Sequence, residues 1–129
     1  PLLSWPNNYE TYLGGWSTSR DPDDYSIFHS SECTTEANPD AFNFPCYSNP
    51  EADKLLEEGR QELDQAKRAE IYAKFQELVH NDLPYYFTWS DLANAALTKS
   101  VSSNGGTIDL TSPQYFWNLD SWVVAPTAQ

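Results

Sequence analysis

The strongest pattern along this chain is an apolar stripe at helical spacing. Ile71, Tyr72, Phe75, Leu78 and Val79 fall on one side of a helix of about 3.6 residues per turn, with charged residues opposite. Asp64 offers a capping side chain before the stripe. Leu83-Pro84 stops it just beyond His80, because a residue that precedes proline is driven out of the helical region. The pattern predicts a docked helix whose Tyr and Phe belong to a core rather than to a cofactor site. A second helix is predicted upstream, with Asn49 as N-cap and Pro50 as first helical residue. Ala52, Leu55, Leu56 and Gly59 share its inner face, and Glu57, Glu58 and Arg60 lie away from it.

Elsewhere the period is lost. Tyr9 to Trp16 is aromatic and runs into Gly14-Gly15, which predicts a strand ending in a loop. Ser17 to Asn49 is dense in Ser, Asp, Pro, Asn and Thr and predicts a long surface loop, under which Tyr25, Ile27 and Phe28 can pack. Tyr85 to Trp89 predicts a short strand. The tail through Gly105, Gly106, Ile108, Leu110, Phe116, Trp117 and Trp122 predicts turns and short extended pieces. The fold class is therefore α/β, in the sense of mixed α and β, and residues 1–129 are expected to form a single domain.

Composition narrows the partners. The net charge of -12, with only seven Lys and Arg, would repel a phosphate backbone and excludes nucleic acid as an expected partner. No apolar run reaches membrane-spanning length. The chain opens on Pro1 without a charged and then apolar leader, so a processed or shortened chain is expected. Five Trp, eight Tyr and six Phe suit a ligand cleft, although core packing is the commoner use of such residues.

Candidate chemistry is sparse. There is no Gly-rich phosphate loop, nucleophile elbow or metal-binding helix pair, so neither an enzyme nor a cofactor is expected. Asp21, Asp23 and Asp24 could form an acid/base cluster, which keeps a hydrolase as an alternative alongside a non-catalytic interaction module. The simpler reading of Asp-Pro-Asp-Asp is turn chemistry, with Pro22 fixing the backbone and aspartates capping amides. Cys33 and Cys46 could close a bridge across a loop that packing alone would not order, with two unpaired thiols as the alternative. His29 lies nearby, but the spacing of His29, Cys33 and Cys46 matches no zinc signature, and no metal is expected.

The order of several short motifs carries a resemblance. Gly15-Trp16, a short polar loop, Asp21-Pro22, a long loop, and then Tyr47-Ser48-Asn49-Pro50-Glu51-Ala52-Asp53-Lys54-Leu55-Leu56 resembles the C-terminal lobe of family 5 solute-binding proteins. That family includes dipeptide, oligopeptide, glutathione and nickel receptors. Asp64-Gln65-Ala66-Lys67-Arg68, Ile71-Tyr72, Phe75-Gln76 and Asp82-Leu83-Pro84-Tyr85 continue the match to the family's paired helices and the strand after them. The resemblance covers Tyr9 to Trp89 well and the tail loosely.

It implies part of the C-terminal lobe of a two-lobed, periplasmic-binding-protein-like fold. The implied function is the substrate-binding component of an ABC importer, which closes on a small solute and delivers it to a membrane permease. The implied location is extracytoplasmic, either periplasmic or as a cell-surface lipoprotein. The loop after the Trp faces the cleft in that family, which implies Trp16, Ser17, Thr18, Ser19, Arg20 and Asp21 as ligand-binding residues. Peptide receptors of the family carry an aspartate three residues after the Trp, and here that position is Ser19. Arg20 has the planar fork to pair with a ligand carboxylate, an ion pair with neighbouring aspartates being the simpler reading. Peptide, glutathione-like, opine-like and sugar ligands all fit this pattern. Cys33 and Cys46 sit where some dipeptide-binding relatives carry a disulfide.

Overall fold

A computed structural model describes residues 6, 9–17, 19–90, 95–108, 110 and 116–125. They divide into two compact units, Pro1–Phe87 and Thr88–Gln129, which are described separately.

The first unit is built on two helices, preceded by a short one. Helix α1 covers Tyr25–Phe28, α2 covers Pro50–Gln61 and α3 covers Gln65–Asp82. Each long helix starts where a side chain satisfies its first free amides. Asn49 Oδ1 accepts from the Glu51 N–H at 2.9 Å, and Asp64 Oδ1 accepts from Ala66 and Lys67 N–H at 3.0 Å each. Helix α3 ends at Leu83, whose left-handed backbone (φ 47°, ψ 53°) lets its N–H return to the Val79 carbonyl before Pro84 prevents continuation.

The inner faces are those the periodicity marks. Ala52, Leu55 and Leu56 of α2 meet Tyr72, Phe75 and Val79 of α3, and Ile27 and Phe28 of α1 complete a buried cluster. Phe28 sits edge-on to Phe75, Tyr47 and Tyr85, an arrangement that sets ring edges against ring faces. Gly59 has a particular reason to be glycine: a Cβ there would lie 2.8 Å from the Tyr72 ring, so it permits the close approach of α3.

The segment between α1 and α2 departs from a simple surface loop. It contains a 3-10 turn at Ser30–Glu32 and buries His29, Thr34, Ala41 and Asn43. Its polar groups are paired internally. Asn43 Nδ2 donates to the carbonyls of His29 and Tyr47 while its Oδ1 accepts from Tyr47 N–H, and Thr34 Oγ1 donates to the Ala41 carbonyl. Ser30 N–H and Oγ both donate to Asp53, which ties this segment to α2. Cys33 and Cys46 are joined in a disulfide, with Cα atoms 4.5 Å apart. Both sulfurs being used, the His29, Cys33, Cys46 set has no thiolate to offer a metal. His29 instead stacks on Tyr25 and takes the Ser31 N–H on its Nδ1.

The predicted strands at Tyr9 to Trp16 and Tyr85 to Trp89 are irregular instead. Strand composition alone does not make a strand, because the backbone groups need a neighbouring edge to pair with. Among the described residues of the first unit, the one bridge of strand type is Cys33 to Asn43.

The second unit pairs β1, Val101–Ser103, with β2, Trp122–Val124, in antiparallel register with Val101 opposite Val124 and Ser103 opposite Trp122. A 3-10 turn, Leu119–Ser121, leads into β2. Asn118, buried beside this ladder, accepts from the Trp122 indole at 2.9 Å. The mixed helix and strand content matches the expected class. No helix among the described residues is long and apolar enough to cross a membrane.

Candidate functional site

The loop from Trp16 to Asp24 is held in place from three sides. At its start Trp16 lies parallel to Phe44, with ring centroids 5.4 Å apart and planes 16° apart, while Phe42 meets it edge-on at 5.8 Å. Phe42 and Phe44 both belong to the segment closed by the disulfide. Trp16 and Phe42 remain 43% and 49% exposed, so this aromatic group presents a face to solvent rather than closing a core.

The middle of the loop is shaped by side chains acting on its own backbone. Ser19 Oγ donates to the Asp21 carbonyl at 2.9 Å. Asp21 Oδ1 accepts from Asp23 N–H at 3.0 Å, and Asp23 Oδ1 from Tyr25 N–H at 3.2 Å. These are successive aspartate turns that feed the chain into α1, which is the turn chemistry expected of Asp-Pro-Asp-Asp.

Arginines of the helices bind the same carboxylates and anchor the loop, Asp21 through both of its oxygens and Asp23 through Oδ2. Arg68 of α3 grips Asp21 at two points, Nη2 to Oδ1 at 2.7 Å and Nη1 to Oδ2 at 3.1 Å, while its Nε donates to the Gly59 carbonyl at 2.8 Å. Arg60 Nε meets Asp23 Oδ2 at 2.8 Å and stacks its guanidinium on Tyr25. Hydrogen bonding from Arg68 holds the Asp21 carboxyl below the usual carboxylate range. Asp24 moves the other way, because burial and the neighbouring Asp23 raise it. Asp24 occupies the N-cap position of α1 but its side chain makes no capping bond.

Between this loop and α3 lies a cleft of about 270 Å³, lined by Ser19, Arg20, Asp21, Pro22, Asp24, Tyr72, Phe75 and Gln76. Of the residues named from sequence, Ser19, Arg20 and Asp21 line it, Trp16 belongs to the aromatic face at the loop's start, and Ser17 is exposed. Thr18 lies outside the described residues. The helical half of the cleft was not anticipated, yet its signal was present. Arg68, Tyr72, Phe75 and Gln76 are spaced so as to share one side of a helix, and a polar Gln beside a buried stripe marks where that side meets solvent.

With this geometry in hand, the chain can be placed beside known proteins. No protein-family model matches it, and no solved structure is similar. Its sequence is similar to a bacterial oligopeptide-binding protein. That relative is the oligopeptide-binding protein AppA of Bacillus subtilis strain 168, 26% identical over 121 residues. The match takes in 93% of this chain, which spans 21% of the length of the relative.

Proposed function

We infer that this chain is part of the substrate-binding component of an ABC importer, capturing a peptide-like solute outside the cytoplasmic membrane and delivering it to a membrane permease. The observation that carries this reading is the similarity to an oligopeptide-binding protein along 93% of the chain. Under it, both units belong to the C-terminal lobe of a two-lobed receptor of family 5, secreted or held at the surface as a lipoprotein. No catalysis is involved.

The ligand-facing element is the loop of Trp16, Ser17, Thr18, Ser19, Arg20 and Asp21. Its supports suit binding. A site recognises a solute best when its groups are fixed beforehand, and the Asp21–Arg68 bridge and the aspartate turns fix this backbone. Trp16 offers a ring face for stacking and Arg20 a planar cation for a carboxylate. The same supports count against a hydrolase built on Asp21, Asp23 and Asp24. Two of the three carboxylates are occupied by arginines, and a general base needs an oxygen aimed at substrate.

A chemical-shift titration of the isotopically labelled chain with trialanine, glutathione, an opine and maltose tests this. A peptide-like ligand is expected to move the Trp16 indole and the amides from Ser17 to Asp21, leaving the ligand intact. Shifts from none of these ligands, or the accumulation of cleaved peptide, would overturn it.

A further inference from the structure

The turn after β1 reads Asn104-Gly105-Gly106, and every other asparagine in the chain is followed by proline or by a residue with a Cβ. Asn104, Gly105 and Gly106 are all exposed. The Asn104 side chain makes no hydrogen bond among the described residues, whereas the amides of Asn43 and Asn118 are held. Asn43 makes bonds from both ends of its amide, and Asn118 donates to Ser103 Oγ while accepting from Trp122. Asn38 and Asn49 precede prolines, which have no N–H.

We propose that Asn104 is a site of spontaneous chemical modification, deamidating through attack by the backbone nitrogen of Gly105. The nitrogen bonds to the Asn104 side-chain carbonyl carbon. The bond from that carbon to Nδ2 breaks, and Nδ2 leaves as ammonia with the proton that Gly105 gives up. Water then opens the resulting succinimide at one of its two carbonyls, yielding aspartate or isoaspartate at position 104. No oxidant or cofactor takes part.

Three features favour this turn. Glycine places no side chain in the path of the attacking nitrogen. Gly106, at φ 114° with open space where a Cβ would stand, leaves the following backbone free to adjust. The reacting atoms are neighbours in one chain, so no encounter has to be arranged. Contacts that hold the turn oppose it: Gly105 N–H donates to Ser103 Oγ at 3.1 Å and must let go first, and Gly105 lies close against Ser121. That bond is exposed, so water replaces it at little cost.

The product alters the second unit. Asn104 N–H donates to the Ser121 carbonyl at 3.0 Å, beside the Ser103–Trp122 pair of the ladder. Isoaspartate inserts a methylene into the main chain at this point and pulls the bond out of register. Each event also adds one negative charge to a chain already at -12.

The test is incubation of the chain in mildly alkaline buffer, followed by peptide mapping by mass spectrometry and an isoaspartate assay. Amide loss at Asn104 is expected about tenfold faster than at Asn81 or Asn118, the ratio given by a barrier difference of about 1.4 kcal/mol. Isoaspartate is expected at 104, and Asn104→Gln should abolish it. Equal loss at the three asparagines, or aspartate without isoaspartate at 104, would overturn the proposal.

Discussion

Arg68 Nη2 lies 2.7 Å from Asp21 Oδ1, and that pair joins the first turn of α3 to a loop 47 residues earlier in the chain. Because Arg68 also donates to the Gly59 carbonyl, one guanidinium holds the loop, the end of α2 and α3 together. Arg68→Ala is expected to loosen the loop more than the fold. Asp21 is more than half exposed, so the cost in global stability is about 1 kcal/mol or less. Hydrogen exchange should show faster opening from Ser19 to Tyr25, with the α2 and α3 amides little changed.

The same pair sets a pH dependence. Asp21 is held below its ordinary value of 3.8, so its folded form binds a proton less readily than the unfolded chain does. The stabilisation is complete above the ordinary carboxylate range and disappears as pH falls through the lowered value. Asp21→Asn should flatten that acid limb in denaturation curves; an unchanged limb would mean that other carboxylates carry it.

At the far end of α3, the Tyr47 hydroxyl donates to Asp82 Oδ2 at 2.6 Å and Asn49 Nδ2 donates to the same oxygen at 2.7 Å. Tyr47 is the larger cause of the lowered Asp82 value. Burial, then the Asp82 bond, pushes the phenol well above its usual range, so it remains a donor throughout neutral pH. Tyr47→Phe should let the Asp82 titration climb back toward 3.8, read from its side-chain carboxyl resonance.

Gly59→Ala separates propensity from packing. Alanine in a helix interior gains about 1 kcal/mol over glycine. Here the added methyl would meet the buried Tyr72 ring at 2.8 Å. Overpacking of about 1–3 kcal/mol outweighs the gain, and a net loss of about 1 kcal/mol is expected in chemical denaturation. A stabilised variant would show that Tyr72 swings aside.

Replacing Cys33 and Cys46 with serine opens a closure of 13 residues in sequence separation. The chain-entropy model puts the loss at about 3 kcal/mol. Thermal unfolding of the double variant, compared with the oxidised parent, measures it.

The two long helices were legible because independent signals coincide: a cap and an apolar face in each, and in α3 the Leu83-Pro84 stop as well. The burial of Ala52, Leu55, Leu56 and Gly59 follows from spacing alone. What misled was the region where order comes from contacts distant in sequence. The segment from Ser17 to Asn49 looks unstructured because its residues are polar, yet Asn43 and Thr34 are buried as internal hydrogen-bonding posts. Nothing local announces that role. Tyr9 to Trp16 misled in the opposite way, because its composition favours strand while no neighbouring edge among the described residues receives it. Of the loop named from sequence, Ser19, Arg20 and Asp21 line the cleft. The helical half required knowing which side of α3 faces that loop.

The disulfide has a reach beyond the residues it joins. Phe42 and Phe44, the two rings that hold Trp16, both lie between Cys33 and Cys46. The bridge therefore acts as the frame on which the aromatic face is mounted, and thiol redox state becomes a control on Trp16. Reducing conditions would leave the helical pair standing while blurring the surface around Trp16, so the environment in which this chain folds decides how sharply that surface is drawn.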